Sequence, residues 1–238
     1  MIELSIAGLA IGVDNRYEYT SALCHDYIGN SGTLDFTVFA SEEEIKKESE
    51  GSAFAHHPGY LESIAIYRKI AEIIPSFDGI VFHGAVIALD GRAYAVTARS
   101  GVGKTTHLSL WLREFGDKVH ILNGDKPILR VIDGKVYAAG TPWRGKENYG
   151  VPEMLPLDGI AFLERAEKPS AKSIGISEAL IPFINQVYIP ENEKYAPLAL
   201  SVANRIISSV PMLKLCVDMS ADAARVAKDA FIANRQEY

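Results

Sequence analysis

The stretch TARSGVGKTTHLSLW, residues 97–111, concentrates the clearest chemistry in the chain. Ser100, Gly101 and Gly103 let backbone N–H groups point into one concavity, and Lys104 adds a mobile positive charge where a helix begins. That is anion chemistry. The common phosphate-loop pattern is G-x-x-x-x-G-K-[ST]; here Ala98 stands at the first glycine, followed by Arg99, Ser100, Gly101, Val102, Gly103, Lys104 and Thr105. Lys104 would reach the β and γ phosphates of a nucleoside triphosphate as a point charge. Thr105 would offer its hydroxyl to a magnesium ion bridging them, with Thr106 in reserve.

A magnesium nucleotide site also needs a carboxylate near a strand end. HILNGDKP supplies Asp125, about twenty residues after the loop. It would ligand the metal or take a proton from an attacking hydroxyl, and spacing alone leaves both open. His83, in VFHGAVI, reads as mid-strand, where a polar side chain must find a partner; it would neutralise phosphate charge or hydrogen-bond Asp125. GTPWRGKENYG, residues 140–150, sets Arg144 and Lys146 beside an aromatic between two glycines. A flexible loop of that composition suits a lid that offsets charge on a transferring phosphoryl group.

These residues need a sheet edge to hold them together. GIVFHGAVIAL and RAYAVTA read as two strands joined by a hairpin turn at Asp90-Gly91, so an antiparallel hairpin feeds the phosphate loop. A generic P-loop ATPase would instead feed it from a parallel sheet with helical crossovers. Residues 104–115 read as a helix with Leu108, Trp111 and Leu112 on one face. A second hairpin turns at Asp133-Gly134, and GIAFLERA and MLKLCVD are further strands. SEALIPFINQVY, APLALSVANRIISSV and SADAARVAKDAFIAN read as helices, the last with Ser220 as N-cap. Upstream, residues 2–13 and 33–40 read as strands. Residues 41–52 are a charged helix or loop and the best place for a boundary, and a helix from Tyr60 ends at Pro75. His56 and His57 precede it. This predicts N-terminal strands and a helix over 1–75 packing on a nucleotide-binding unit over 76–238, or one compact domain.

Bulk properties narrow the partners. A formal net charge of −6 argues against nucleic acid, whose binding rests on clustered Lys and Arg. Only Cys24 and Cys216 occur, far apart, which predicts two buried thiols in a reducing compartment. No apolar run suits a membrane span, and Glu3 stands where a signal peptide carries positive charge. The expectation is a soluble, cytoplasmic protein.

HGAVIALDG (83–91), SGVGKTTH (100–107) and NGDK (123–126), in that order, resemble the HPr serine kinase and phosphoenolpyruvate carboxykinase superfamily. The pattern is most similar to the HPr kinase catalytic domain and to short lasso-peptide-type kinases. The resemblance implies a mixed, hairpin-containing sheet with flanking helices. It further implies magnesium- and ATP-dependent transfer to a hydroxyl, most simply a serine of a small protein or peptide, and a homo-oligomer as one form of partnership. Matched position by position, His83 is the family histidine, Ser100 to Thr105 its phosphate loop, and Asp125 one acid of its Asp-Asp pair. Gly124 and Lys126 flank Asp125, so the second acid is missing. Two rival readings follow: a small-molecule hydroxyl kinase, or a nucleotide-binding regulatory protein that has lost turnover.

Overall fold

The structure is a computed structural model that describes residues 1–50, 55–99 and 101–235. Ser100, assigned above to the phosphate loop, lies outside the described residues, as do the last two residues of the 41–52 stretch.

The chain opens with β1 (Ile2–Ile6) and β2 (Leu9–Asp14), an antiparallel hairpin closed by Ala7 and Gly8, both at positive φ. After the short α1 (Glu18–Leu23), β3 (Phe36–Phe39) adds in parallel to β2. The charged stretch forms α2 (Glu42–Lys47), started by a capping box between Ser41 and Glu44. It packs beside α3 (Pro58–Ile73). His57 is the N-cap of α3, its ring nitrogen accepting from Gly59 N at 3.1 Å, which gives that histidine a structural task. The buried Glu62 of α3 accepts from Arg16 N, Tyr17 N and the Thr20 hydroxyl and so clamps α1 onto α3.

The main sheet is nine-stranded. Its strands are β4 (Gly79–Val81), β5 (Ala85–Leu89), β6 (Arg92–Thr97), β7 (Val119–Asn123), β8 (Ile128–Ile132), β9 (Lys135–Ala139), β10 (Met154–Arg165), β11 (Ser170–Ile174) and β12 (Met212–Val217). The order is β4-β8-β9-β10-β6-β5-β7, with β12 along the far half of β10 and β11 outside it. β10 makes this possible. Its first residues pair antiparallel with β9, and its remainder lies parallel to β6 on one side and β12 on the other. Helices α4 (Lys104–Phe115) and α7 (Ala221–Ala233) share one core with Tyr94, Trp111, Leu213 and Phe231. Helices α5 (Ile176–Ile184) and α6 (Ala196–Ser209) share another with Phe82, Ile160, Phe183 and Ile206. In a third core, Ile11, Ile66 and Ile70 meet Val81, Ile128, Ala139 and Trp143. The chain is therefore mixed α/β with helices flanking a mixed sheet.

The expected hairpin feeds the phosphate loop: β5 and β6 pair antiparallel, and Asp90 and Gly91 both take positive φ. The other neighbour of β6 is the parallel β10. Because β5 is antiparallel to both β6 and β7, the strands β6, β7, β10 and β12 all run the same way. Their carboxyl ends and the start of β5 therefore share one edge.

Three expectations are corrected. GIVFHGAVIAL is not one strand: the amides of Phe82, His83 and Gly84 bond to Pro127, Gln186 and Asp125 carbonyls, so the chain bends and β4 and β5 enter different halves of the sheet. His83 lies in that bend with its side chain 57% exposed, not buried in a strand. Cys24 is buried, its thiol pushed up to about 12 by burial, but Cys216 is only half-buried. Ser220 does occupy the N-cap of α7, although its hydroxyl donates to Asp218. Among the described residues no helix is long and apolar enough to cross a membrane.

Candidate active site

The phosphate loop leaves β6 at Thr97 and ends where α4 begins at Lys104. Gly101 and Gly103 have φ of 80° and 117°, a region L side chains rarely adopt, and this fixes glycine at both positions. Gly103 is the N-cap and supplies no side-chain cap, so the first-turn amides of α4 meet no acceptor from it. Arg165, at the end of β10, donates Nε to Val102 O (3.0 Å) and Nη2 to Gly101 O (2.6 Å). Both loop carbonyls are thereby turned toward a cation. Ala98 adopts no positive φ and packs against the α4 core, so the absent first glycine costs the loop nothing.

The turn after β7 carries Asp125. The buried Asn123 builds it: Oδ1 accepts from Asp125 N (2.9 Å) and Lys126 N (2.8 Å), while Nδ2 donates to the carbonyl and hydroxyl of Thr141. Lys126 O in turn accepts from Thr141 Oγ1 (2.8 Å) and from Tyr67 Oη (2.6 Å) on α3. The turn is held from three directions. Asp125 Oδ1 lies 3.4 Å from His83 Nε2 and 3.6 Å from Lys104 Nζ, and Oδ2 accepts from Lys126 Nζ at 2.6 Å. Thr97 Oγ1 donates to His83 O, tying the histidine bend to the strand that feeds the loop.

The electrostatics follow from this cluster. Burial pushes the Asp125 carboxyl up, but hydrogen bonds from His83 and Lys126 and the charges of Lys126 and Lys104 outweigh it and hold the group well below the usual carboxylate range. Burial lowers the Lys104 ammonium, and Asp125 offsets part of that effect. Asp125 is therefore a well-satisfied anion.

The 140–150 loop, expected as a lid, is anchored through Gly140, Trp143 and Arg144, while residues 145–148 are exposed. A Cβ on Gly140 would overlap Val151 O, so this glycine serves close packing. Trp143 donates Nε1 to Ser63 O (3.0 Å) and stacks on Tyr67 with ring centroids 4.0 Å apart. Arg144 sends its guanidinium to Asp26 (2.8 Å) and over the Tyr27 ring, while its own carbonyl lies against Gly124. Lys146 is exposed and lines the cavity that contains Asp125.

Glu147, which sequence reasoning passed over, accepts from Thr105 Oγ1 at 3.1 Å. The loop thus returns a carboxylate to the first turn of α4. Asn123, Thr141 and Tyr67 were missed as well. NGD reads as an ordinary turn, and only the fold shows that Asn123 holds the Asp125 turn. Among the described residues, no group of three or more His, Cys, Asp or Glu side chains forms a metal-ligand cluster. Thr105, Thr106 and Gly101 are exposed or nearly so at the edge of the loop, and Val102 and Gly103 line a recess beside it.

Besides that recess, further cavities adjoin this edge. One of about 560 Å³ runs from Thr97 and the loop to Phe162, Ile181 and Gln186. A second of about 270 Å³ shares Asn185 and Gln186 with it and reaches His83 and Lys126. A third of about 480 Å³ shares Ile64, Tyr67 and Lys126 with the second and reaches Asp125 and Lys146.

Comparison with known proteins gives little more. No family model matches the chain. No curated protein matches it either. Among solved structures, the HPr(Ser) kinase/phosphatase from Coxiella burnetii matches with a TM-score of 0.37 at 10% identity, over 64% of this chain and 97% of that one.

Proposed function

We propose that this chain is a phosphotransferase that uses ATP or another nucleoside triphosphate, with magnesium, to phosphorylate a hydroxyl: a serine of a small protein or peptide, or a small hydroxyl compound. The observation that carries the reading is the meeting of Lys104 and His83 on one oxygen of Asp125 beside the glycine loop. The loop amides and Lys104 would hold the β and γ phosphates.

The donors present suit magnesium, which takes few protein oxygens and fills the rest of its shell with phosphate and water. Thr105 Oγ1 and the Glu147 carboxylate, 3.1 Å apart, and the nearby Asp125 are such donors. When bound, the ion would offset charge on the transferring phosphoryl group. Asp125 would receive the acceptor proton, with the exposed His83 as the relay to solvent. Lys146, which lines the Asp125 cavity, would offset charge on the transferring phosphoryl group. Arg144, which lines the same cavity, would share that role while its pairing with Asp26 orients its guanidinium.

One observation favours a second reading, nucleotide binding without turnover. Lys126 sits 2.6 Å from Asp125 Oδ2 and neutralises the acid that would act as base. The deciding experiment follows γ-phosphate release and transfer from magnesium ATP to a hydroxyl panel, beside Lys104→Ala and Asp125→Asn. Transfer that both folded variants lose supports the phosphotransferase. Tight ATP binding with neither transfer nor hydrolysis supports the second reading.

A further inference from the structure

The cavity of about 480 Å³ between α1, α3 and the 142–148 segment has a composition that the phosphate chemistry does not explain. Its floor is Tyr67 stacked on Trp143, both anchored by hydrogen bonds to the Lys126 and Ser63 carbonyls. The wall is Leu23, Ile64 and Pro142. Its rim is Tyr19 and Tyr60, packed edge to face at 6.1 Å and each still more than a third exposed. Its polar lining is Ser63, Asn148 and the charged Asp125, Lys126, Arg144 and Lys146. The four rings, Tyr19, Tyr60, Tyr67 and Trp143, and the aliphatic wall give it more apolar than polar surface.

Much of this cavity comes from the N-terminal third of the chain. Glu62 clamps α1 to α3 and so presents Tyr19 over the opening. Tyr19 and Tyr60 pack on each other and on His57 and His56 at the mouth, and the volume lies within the range of small-ligand sites.

We infer that this cavity is the acceptor site, and that it selects a hydroxyl carried next to an aromatic or branched aliphatic group. The assignment rests on the phosphotransferase reading above. The apolar group would fill the hollow between Tyr60 and the Tyr67–Trp143 floor, which leaves the hydroxyl at Asp125. In the transfer, the hydroxyl oxygen bonds to the γ-phosphorus, the bond from that phosphorus to the β,γ-bridging oxygen breaks, the nucleoside diphosphate leaves with the electron pair, and the hydroxyl proton passes to Asp125. The same chemistry comes from two sources, a peptide with a hydroxyl residue beside an aromatic one or a free aryl-alkyl alcohol.

The test titrates the intact chain with N-acetyl-Ser-Phe-amide, N-acetyl-Ser-Gly-amide, 2-phenylethanol and glycerol, read by tryptophan emission. Trp143 lies on the cavity floor, and Trp111 lies in the core beneath α4. Burying one aromatic group predicts that the Ser-Phe peptide or 2-phenylethanol binds about tenfold or more tighter than its apolar-poor counterpart. Tyr60→Ala and Tyr19→Ala, neither part of the phosphate machinery, should erase that preference and leave magnesium ATP affinity unchanged. Tight 2-phenylethanol binding identifies a free alcohol as the source; binding of the Ser-Phe peptide alone identifies a peptide. Equal affinity for the two peptides together with equal affinity for 2-phenylethanol and glycerol would overturn the assignment, and so would a preference that survives both tyrosine variants. An aromatic preference that depends on Tyr60 in a protein that never transfers phosphate would remove the phosphotransferase reading and leave a binding site for apolar hydroxyl compounds.

Discussion

His107 offers a sharp quantitative test of how the phosphate loop is supported. It lies on the first turn of α4, 1% exposed, and its Nε2 accepts from Trp111 Nε1 at 2.9 Å, a bond only the neutral ring can accept. Burial lowers its pKa from 6.5 to about 4. A histidine lowered in this way binds its proton more readily in the unfolded chain. Its penalty is absent above pH 6.5, grows as pH falls through the window from 6.5 to about 4, and is constant below it. Linkage over those two values predicts a loss of about 1 kcal/mol at pH 5.5 and about 2–3 kcal/mol at pH 4.5, relative to neutral pH. Urea unfolding of the wild type and of His107→Gln, which keeps an acceptor for Trp111 and has no ring to titrate, measures it directly. The variant's stability should decline less steeply between pH 6.5 and 4.5. Parallel curves for the two proteins would refute the burial argument.

Three further outcomes are expected. Asn123→Ala removes the shared acceptor of the Asp125 and Lys126 amides and a donor to Thr141, and should cost about 2–4 kcal/mol in urea unfolding. Asp125 is held below its ordinary value of 3.8, so its stabilising contribution is complete above that pH and lost as pH falls below it. The stability difference between wild type and Asp125→Asn should be flat from neutral pH down to about 5 and shrink below 3.8. Glu147→Gln should weaken the magnesium dependence of nucleotide binding by about tenfold and leave metal-free binding unchanged, as calorimetry with and without magnesium would show.

Local signals made the phosphate loop and its feeding hairpin legible. Positive-φ glycines and an Asp-Gly turn are requirements of one or two residues, and the sequence displays them directly. The pairing of β10 with β9, β6 and β12 was not legible, because only GIAFLERA has strand composition and the extension back to Met154 contains a proline. The exposed β11, SAKSI, gave no apolar run at all. At the site, Lys104, His83 and Asp125 came from motif spacing and do meet in space. Arg144 was read for phosphate from its residue type, and type alone did not reveal its pairing with Asp26. Glu147 was missed because its partner Thr105 lies 42 residues away, where no pattern of spacing reaches.

The contact between Gly124 and the Arg144 carbonyl reaches beyond this one site. A Cβ at position 124 would stand 2.8 Å from that oxygen, and Gly124 N already donates to Tyr149 O. Any side chain at 124, an acidic one included, must first shift the segment that carries Glu147. The turn after β7 and the 140–150 loop therefore constrain each other: Gly124 N donates to Tyr149 O and Asn123 Nδ2 donates to Thr141. A substitution in either segment is felt at Asp125 through the other.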